Sequence, residues 1–155
     1  ISSYLLFYTL KELADTDEIS ALNILKDYSL GMLQWGATTF WEDYDPLWAK
    51  NTGSITDLPK DGQDDIHGDR GDYCYKGFRH SLCHGWSSGV VPFFIEEIVG
   101  LKILEPGFKK IAVRPNPGGL NYISAKIPTP YGVMNIEVKN GKADVVLPNG
   151  ITLVK

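Results

Sequence analysis

The hydrophobic pattern of this chain changes period at Gly100, and that switch constrains its fold more than any other feature. Before Gly100, apolar residues recur at helical spacing; after it, they fall in short runs bounded by Gly, Pro and Asn. Helices followed by strands make an α+β chain rather than an alternating α/β one. The boundary is expected near Leu104–Phe108, giving a helical part over 1–103 and a β part over 104–155.

In residues 3–14, Tyr4, Leu5, Leu6, Phe7, Tyr8, Leu10 and Leu13 leave almost no polar face. Such a helix is expected to be buried on several sides. Asp15-Thr16-Asp17 supplies a turn and an N-cap for a second helix near 17–34. Its stripe runs through Ile19, Leu22, Leu25, Ser29 and Met32, widened by Ala21, Ile24 and Tyr28. The two helices are predicted to form an antiparallel pair. A third is expected over 79–99, with Pro92 kinking it or starting a new segment.

Beyond the Pro106-Gly107 turn, five β-type runs follow: 110–114, 121–127, 131–139, 142–147 and 151–154. In the third, Met134, Ile136 and Val138 alternate with Asn135 and Glu137, the signature of a half-buried strand. Asn140-Gly141 between two such runs predicts a two-residue hairpin turn. Five short strands do not close a sandwich, so pairing with strands outside this chain is expected.

Between 43 and 78 the periodicity vanishes in a long polar loop punctuated by Pro46, Gly53, Pro59, Gly62, Gly68 and Gly71. Loops of this length in compact domains are often lids or binding loops. Asp61, Asp64, Asp65, His67, Asp69 and Asp72 crowd one part of it, within 57–72. Clustered carboxylates can hold calcium, but Asp72 stands where a calcium-binding loop closes with Glu. A solvated acidic loop is the expectation, and no metal is assigned. Arg70-Gly71-Asp72 reads as chance rather than an adhesion signal.

Composition narrows the partners. With 15 Lys and Arg against 19 Asp and Glu, the net charge of −4 argues against a nucleic-acid surface. No stretch is long and apolar enough to span a bilayer. Cys74 and Cys83 make no C-x-x-C pair, and two buried thiols are expected, with one bridge open in an oxidising compartment. No phosphate loop or nucleotide motif occurs, so no cofactor is expected. The chain opens directly on Ile1-Ser2-Ser3-Tyr4-Leu5-Leu6, without an initiator Met or signal peptide, and is expected to be a piece of a longer protein.

One run stands out chemically: Gly36-Ala37-Thr38-Thr39-Phe40-Trp41-Glu42, just after the second helix. An acid among aromatics suits a carbohydrate, whose C–H faces stack while its hydroxyls hydrogen-bond. Further on lie His84-Gly85-Trp86-Ser87-Ser88-Gly89 and Leu104-Glu105-Pro106-Gly107-Phe108, continuing through Lys109-Lys110-Ile111-Ala112-Val113-Arg114-Pro115. Together with Pro117-Gly118-Gly119 and Thr129-Pro130-Tyr131-Gly132, these segments resemble the C-terminal part of bacterial α-L-rhamnosidases, glycoside hydrolase family 78.

The resemblance implies an α+β fragment: the last helices of an (α/α)6 barrel followed by part of a β-sandwich. It implies inverting hydrolysis of terminal α-L-rhamnosides, with a carbohydrate substrate and the rest of the parent chain as partners. In inversion a carboxylic acid protonates the leaving oxygen while a carboxylate roughly 6.5–9.5 Å away activates water. Glu42 maps to the general base, the general acid lies upstream, and His84 maps to a histidine that contacts the sugar. Trp41 and Trp86 are candidate stacking partners, although large aromatics are more often core. His84 reads equally as a structural donor, Glu42 as a helix-end carboxylate, and Asp43 and Asp45 as helpers or loop starters. The competing functions are a non-catalytic carbohydrate-binding module and a purely structural one. The compartment, whether periplasmic, secreted or cytoplasmic, is left open.

Overall fold

The computed structural model describes residues 2–66 and 80–154. It is an α+β chain that opens with α1 (Ser3–Ala14) and α2 (Glu18–Gln34), close to the predicted helices. Both starts are capped by the residues that precede them. Leu5 donates its backbone N–H to Ser2 Oγ at 3.3 Å, and Ser20 donates to Asp17 Oδ1 at 3.0 Å. The Ser20 hydroxyl donates to the other Asp17 oxygen at 2.6 Å, and these bonds, the hydroxyl's first, hold the Asp17 carboxyl below its ordinary range.

By contact the chain divides into two compact units, Ile1–Glu12 with Leu22–Val90 and Leu13–Ala21 with Val91–Lys155. In the first, Leu6 and Leu10 of α1 and Leu25, Tyr28 and Met32 of α2 are buried and line one small cavity. Ser3 at the start of α1 meets Tyr28 late in α2, so the helices run antiparallel as expected. Tyr44 packs its ring on α2 where Gly31 leaves room, since a Cβ there would lie 2.5 Å from the phenol oxygen. The buried stripe is narrower than the composition of the helices suggests. Tyr4, Leu5 and Tyr8 of α1 and Ile24, Leu30 and Leu33 of α2 remain exposed.

The described part of the long loop has more order than its sequence predicts. A 3-10 turn spans Trp48–Asn51, and Thr52 pairs with Asp64 in a parallel bridge. Asn51 Nδ2 also donates to the Gly62 carbonyl at 2.9 Å. His67, Asp69, Arg70, Gly71, Asp72 and Cys74 lie outside the described residues. Among those described, no cluster of three or more His, Cys, Asp or Glu could hold a metal, and no helix is long and apolar enough to cross a membrane. Cys83 is a free, exposed thiol, not the buried one expected, because it sits in an irregular segment ahead of the next helical turn.

The third helix is also different in kind. It is a 3-10 turn (Gly85–Gly89), one α-turn, α3 (Val90–Phe93), and a π-turn (Phe94–Ile98). Gly85 and Gly89 weaken the α-helix intrinsically, and Pro92 has no N–H to donate to the carbonyl four residues back.

The second unit carries six strands, one more than predicted. They are β1 (Leu101–Glu105), β2 (Lys110–Val113), β3 (Tyr122–Thr129), β4 (Gly132–Lys139), β5 (Lys142–Val146) and β6 (Thr152–Leu153). They form two three-stranded sheets, β1-β2-β6 and β3-β4-β5. The β3-β4-β5 meander is antiparallel, whereas β6 returns to pair parallel with β2. Asn140 (φ 50°) and Gly141 (φ 74°) make the β4–β5 turn in the left-handed conformation that a two-residue hairpin requires. Val99, Leu101 and Ile111 share one buried core with Ile127, Met134, Ile136 and Val138, so both sheets contribute to it.

Gly100, where the period changes, enters β1 at φ 73°, and its carbonyl accepts the Arg114 N–H at 2.9 Å. A Cβ there would sit 1.7 Å from the Arg114 carbonyl oxygen, so both conformation and space demand glycine. Gly100→Ala is therefore expected to destabilise the β unit by about 3 kcal/mol or more. Urea unfolding followed by circular dichroism checks this, and an unchanged midpoint would contradict it.

Candidate active site

The run after α2 begins with the helix's own stop signal. Gly36 (φ 94°) donates to the Leu33 carbonyl at 3.0 Å, and Ala37 donates to the Met32 carbonyl at 3.1 Å. This paired closure satisfies the last carbonyls of α2 and turns the chain sharply away. Residues 38–43 then pass, with bends at 38, 39 and 42, between two other segments. On one side, His84 donates its N–H to the Phe40 carbonyl and Glu42 donates to the Ser81 carbonyl, both at 2.9 Å. Thr39 also donates its hydroxyl to the Leu82 carbonyl. On the other, Ser2 bridges Asp43, and the Ser3 hydroxyl reaches the Trp41 carbonyl at 2.9 Å and the Glu42 carbonyl at 3.3 Å.

Glu42 is held at each end of the residue. Its carboxylate Oε2 accepts the Ser81 N–H at 2.9 Å and lies 3.9 Å from His84 Nδ1. Its carbonyl accepts the Trp86 indole N–H at 3.4 Å. The Glu42 side chain is 13% exposed and that of His84 30%, so the carboxylate is partly shielded yet reachable. In the sequence Glu42 stands more than forty residues before His84 and Trp86, and the fold brings it to them.

The two tryptophans part company. Trp86 is 44% exposed, with its ring 4.5 Å from that of His84 and 5.7 Å from that of Tyr4. Trp41 is 2% exposed and meets Tyr44 edge to face at 6.2 Å. Trp41 therefore anchors the run from inside, while Trp86 stands where a ligand can touch it. Asp43 is buried, its Oδ1 accepting the Tyr44 N–H at 2.8 Å, and Asp45 Oδ1 accepts the Leu47 N–H at 2.7 Å. The open cavity of about 290 Å³ beside Thr38, Thr39 and Phe40 is lined by Ser29, Met32, Leu33 and Ala37 and does not include Glu42.

Sequence reasoning missed Ser3, Ser81 and Tyr4. Ser3 had a signal: a hydroxyl at the head of an otherwise apolar helix. Ser81 acts through its backbone, which no side-chain pattern reveals.

Comparison with known proteins agrees with the family resemblance. Residues 100–153 match the family model of the bacterial alpha-L-rhamnosidase C-terminal domain. The whole chain superposes on the crystal structure of a GH78 family rhamnosidase of Bacillus sp. GL1 with a TM-score of 0.61 at 25% identity. It covers 100% of this chain but only 16% of that one, so the chain spans about a sixth of the length of its structural match. No curated protein matches the chain by sequence. These matches bear out the likeness to the C-terminal part of a bacterial alpha-L-rhamnosidase.

Tyr44 links this region to α2, and its phenol titrates above its ordinary range. Burial pushes it up, Asp45 adds to the rise, and a hydrogen bond with Trp35 offsets part of it. A folded-state affinity raised in this way stabilises the fold below the unfolded tyrosine pKa of about 10, and the contribution disappears as pH climbs through the folded value. Urea unfolding at stepped alkaline pH should show stability falling in that window. Tyr44→Phe should flatten that fall, and an undiminished alkaline slope in this variant would contradict the assignment.

Proposed function

The chain resembles a C-terminal segment of the bacterial alpha-L-rhamnosidases, and from that premise we propose that it carries the general base of an inverting exo-glycosidase acting on terminal α-L-rhamnosides. Glu42 is the base, and the observation that carries the reading is its setting. A partly shielded carboxylate, held by the Ser81 N–H, lies within 4 Å of His84, whose ring meets that of the exposed Trp86.

In this reading Glu42 takes a proton from water as the water oxygen attacks the anomeric carbon. The glycosidic C–O bond breaks on the opposite face, and an acid supplied by the parent chain protonates the leaving oxygen. The product sugar has inverted configuration. His84 and Trp86 position the terminal sugar, while Trp41 supports the run from the core. Residues 1–103 serve as the last helices of an (α/α)6 barrel, and residues 104–155 as a C-terminal β-sandwich-like domain. Earlier helices of the parent would cover the exposed apolar residues of α1 and α2, which fits the usual association of such surfaces with partners. The isolated chain, holding one carboxylate of the pair, is expected to be inactive.

The test is Glu42→Gln in the parent enzyme with an aryl α-L-rhamnoside. Loss of a general base should lower kcat by about 10²–10⁴-fold. In Glu42→Ala, added azide should restore turnover and give a rhamnosyl azide of inverted configuration. A loss of less than a few-fold would remove Glu42 from the chemistry and favour a non-catalytic carbohydrate-binding or structural module.

A further inference from the structure

We infer that Ser3 is a positioning residue for Glu42, an inference that rests on the reading of Glu42 as the general base. Three polar groups converge on its hydroxyl: the Tyr28 hydroxyl at 3.1 Å, the Trp41 carbonyl at 2.9 Å and the Glu42 carbonyl at 3.3 Å. A hydroxyl has one proton and two acceptor positions. The carbonyls can only accept, so Ser3 gives its proton to them, an arrangement in which its oxygen accepts from the Tyr28 phenol. Ser3 thus links the Tyr28 hydroxyl to the backbone of residues 41–42.

Ser3 and Tyr28 are both buried, and hydrogen bonds in a low-dielectric interior strengthen one another. The relay ties the carbonyl side of the Glu42 backbone to the packed pair α1–α2. On the other side, the Ser81 carbonyl and N–H grip the Glu42 N–H and carboxylate. Glu42 is thereby held by two supports, its carbonyl by Ser3 and its carboxylate by Ser81. Removing the Ser3 hydroxyl frees one of them, and a base that wanders by a fraction of an ångström loses its aim at the attacking water.

The experiment uses the full-length parent with Ser3→Ala, Ser3→Thr and Glu42→Gln, assayed on an aryl α-L-rhamnoside. An activated aryl leaving group needs little protonation, so the rate is weighted toward the step that Glu42 assists. Ser3→Ala is expected to lower kcat by about 10–100-fold with KM changed by no more than about twofold, at a temperature where the variant remains folded. Ser3→Thr keeps the hydroxyl, at a position that lines a small cavity, so it should recover most of the rate. Tyr28→Phe should show a smaller loss in the same direction. If Ser3→Ala does not fold, Ser3→Cys keeps the shape with a slightly larger atom, weakens the donated bond and reads the same ratio of kcat to that of the parent.

Ser3→Ala with a lowered melting temperature but unchanged kcat would overturn the positioning role while leaving the base assignment intact, provided Glu42→Gln is inactive. A fully active Glu42→Gln would instead overturn the base assignment and this inference with it.

Discussion

The reciprocal clasp between Glu42 and Ser81 is the interaction on which the functional reading depends. One backbone N–H and one carbonyl of Ser81 meet the carboxylate and the N–H of Glu42, each at 2.9 Å. A glutamate side chain at a loop surface has several free torsions, and fixing it costs rotamer entropy. Two short bonds to one residue's backbone offset that cost without adding a charge nearby. His84, two residues past Leu82, is tied by its own N–H to the Phe40 carbonyl, and its imidazole lies 3.9 Å from the carboxylate.

The elements around that clasp have separable tasks. Gly36 ends α2 and sets the direction of the run, and Trp41 sinks into the core while the side chain of the next residue, Glu42, stays partly exposed. Ser2 and Ser3 close the other edge, which explains why polar residues head a helix otherwise built of apolar ones. The aromatic character of the run, which on its own suggests sugar stacking, divides between an internal anchor, Trp41, and an exposed ring supplied by a distant segment, Trp86. Proximity in sequence to the acid is thus a poor guide to which tryptophan meets a ligand.

Much of the fold was legible because it is governed by local rules. The two opening helices follow from apolar spacing and the Asp17 cap, and the β4–β5 turn follows from the need for two left-handed residues at Asn140-Gly141. β1 escaped notice because Leu101-Lys102-Ile103-Leu104-Glu105 has no clean alternation and directly follows a helical run. Its strand character comes from pairing with β2, Leu101 opposite Val113 and Lys102 opposite Ala112. The expected third helix differs in kind because two glycines and a proline set the hydrogen-bond pattern there, while the hydrophobic spacing carries no record of which carbonyl each N–H will choose.

By itself the sequence determined the change from helix to strand at Gly100, the candidate acid at position 42 and the family likeness, because each is written in residue types at short range. Tertiary structure alone decided that Glu42 meets Ser81, His84 and Ser3, that Trp41 is core while Trp86 is surface, and that β6 joins β2. Those outcomes depend on contacts between segments far apart in the chain, 39 residues for both Ser3 and Ser81 against Glu42. Chain connectivity leaves such contacts open until packing and backbone hydrogen bonding select one arrangement.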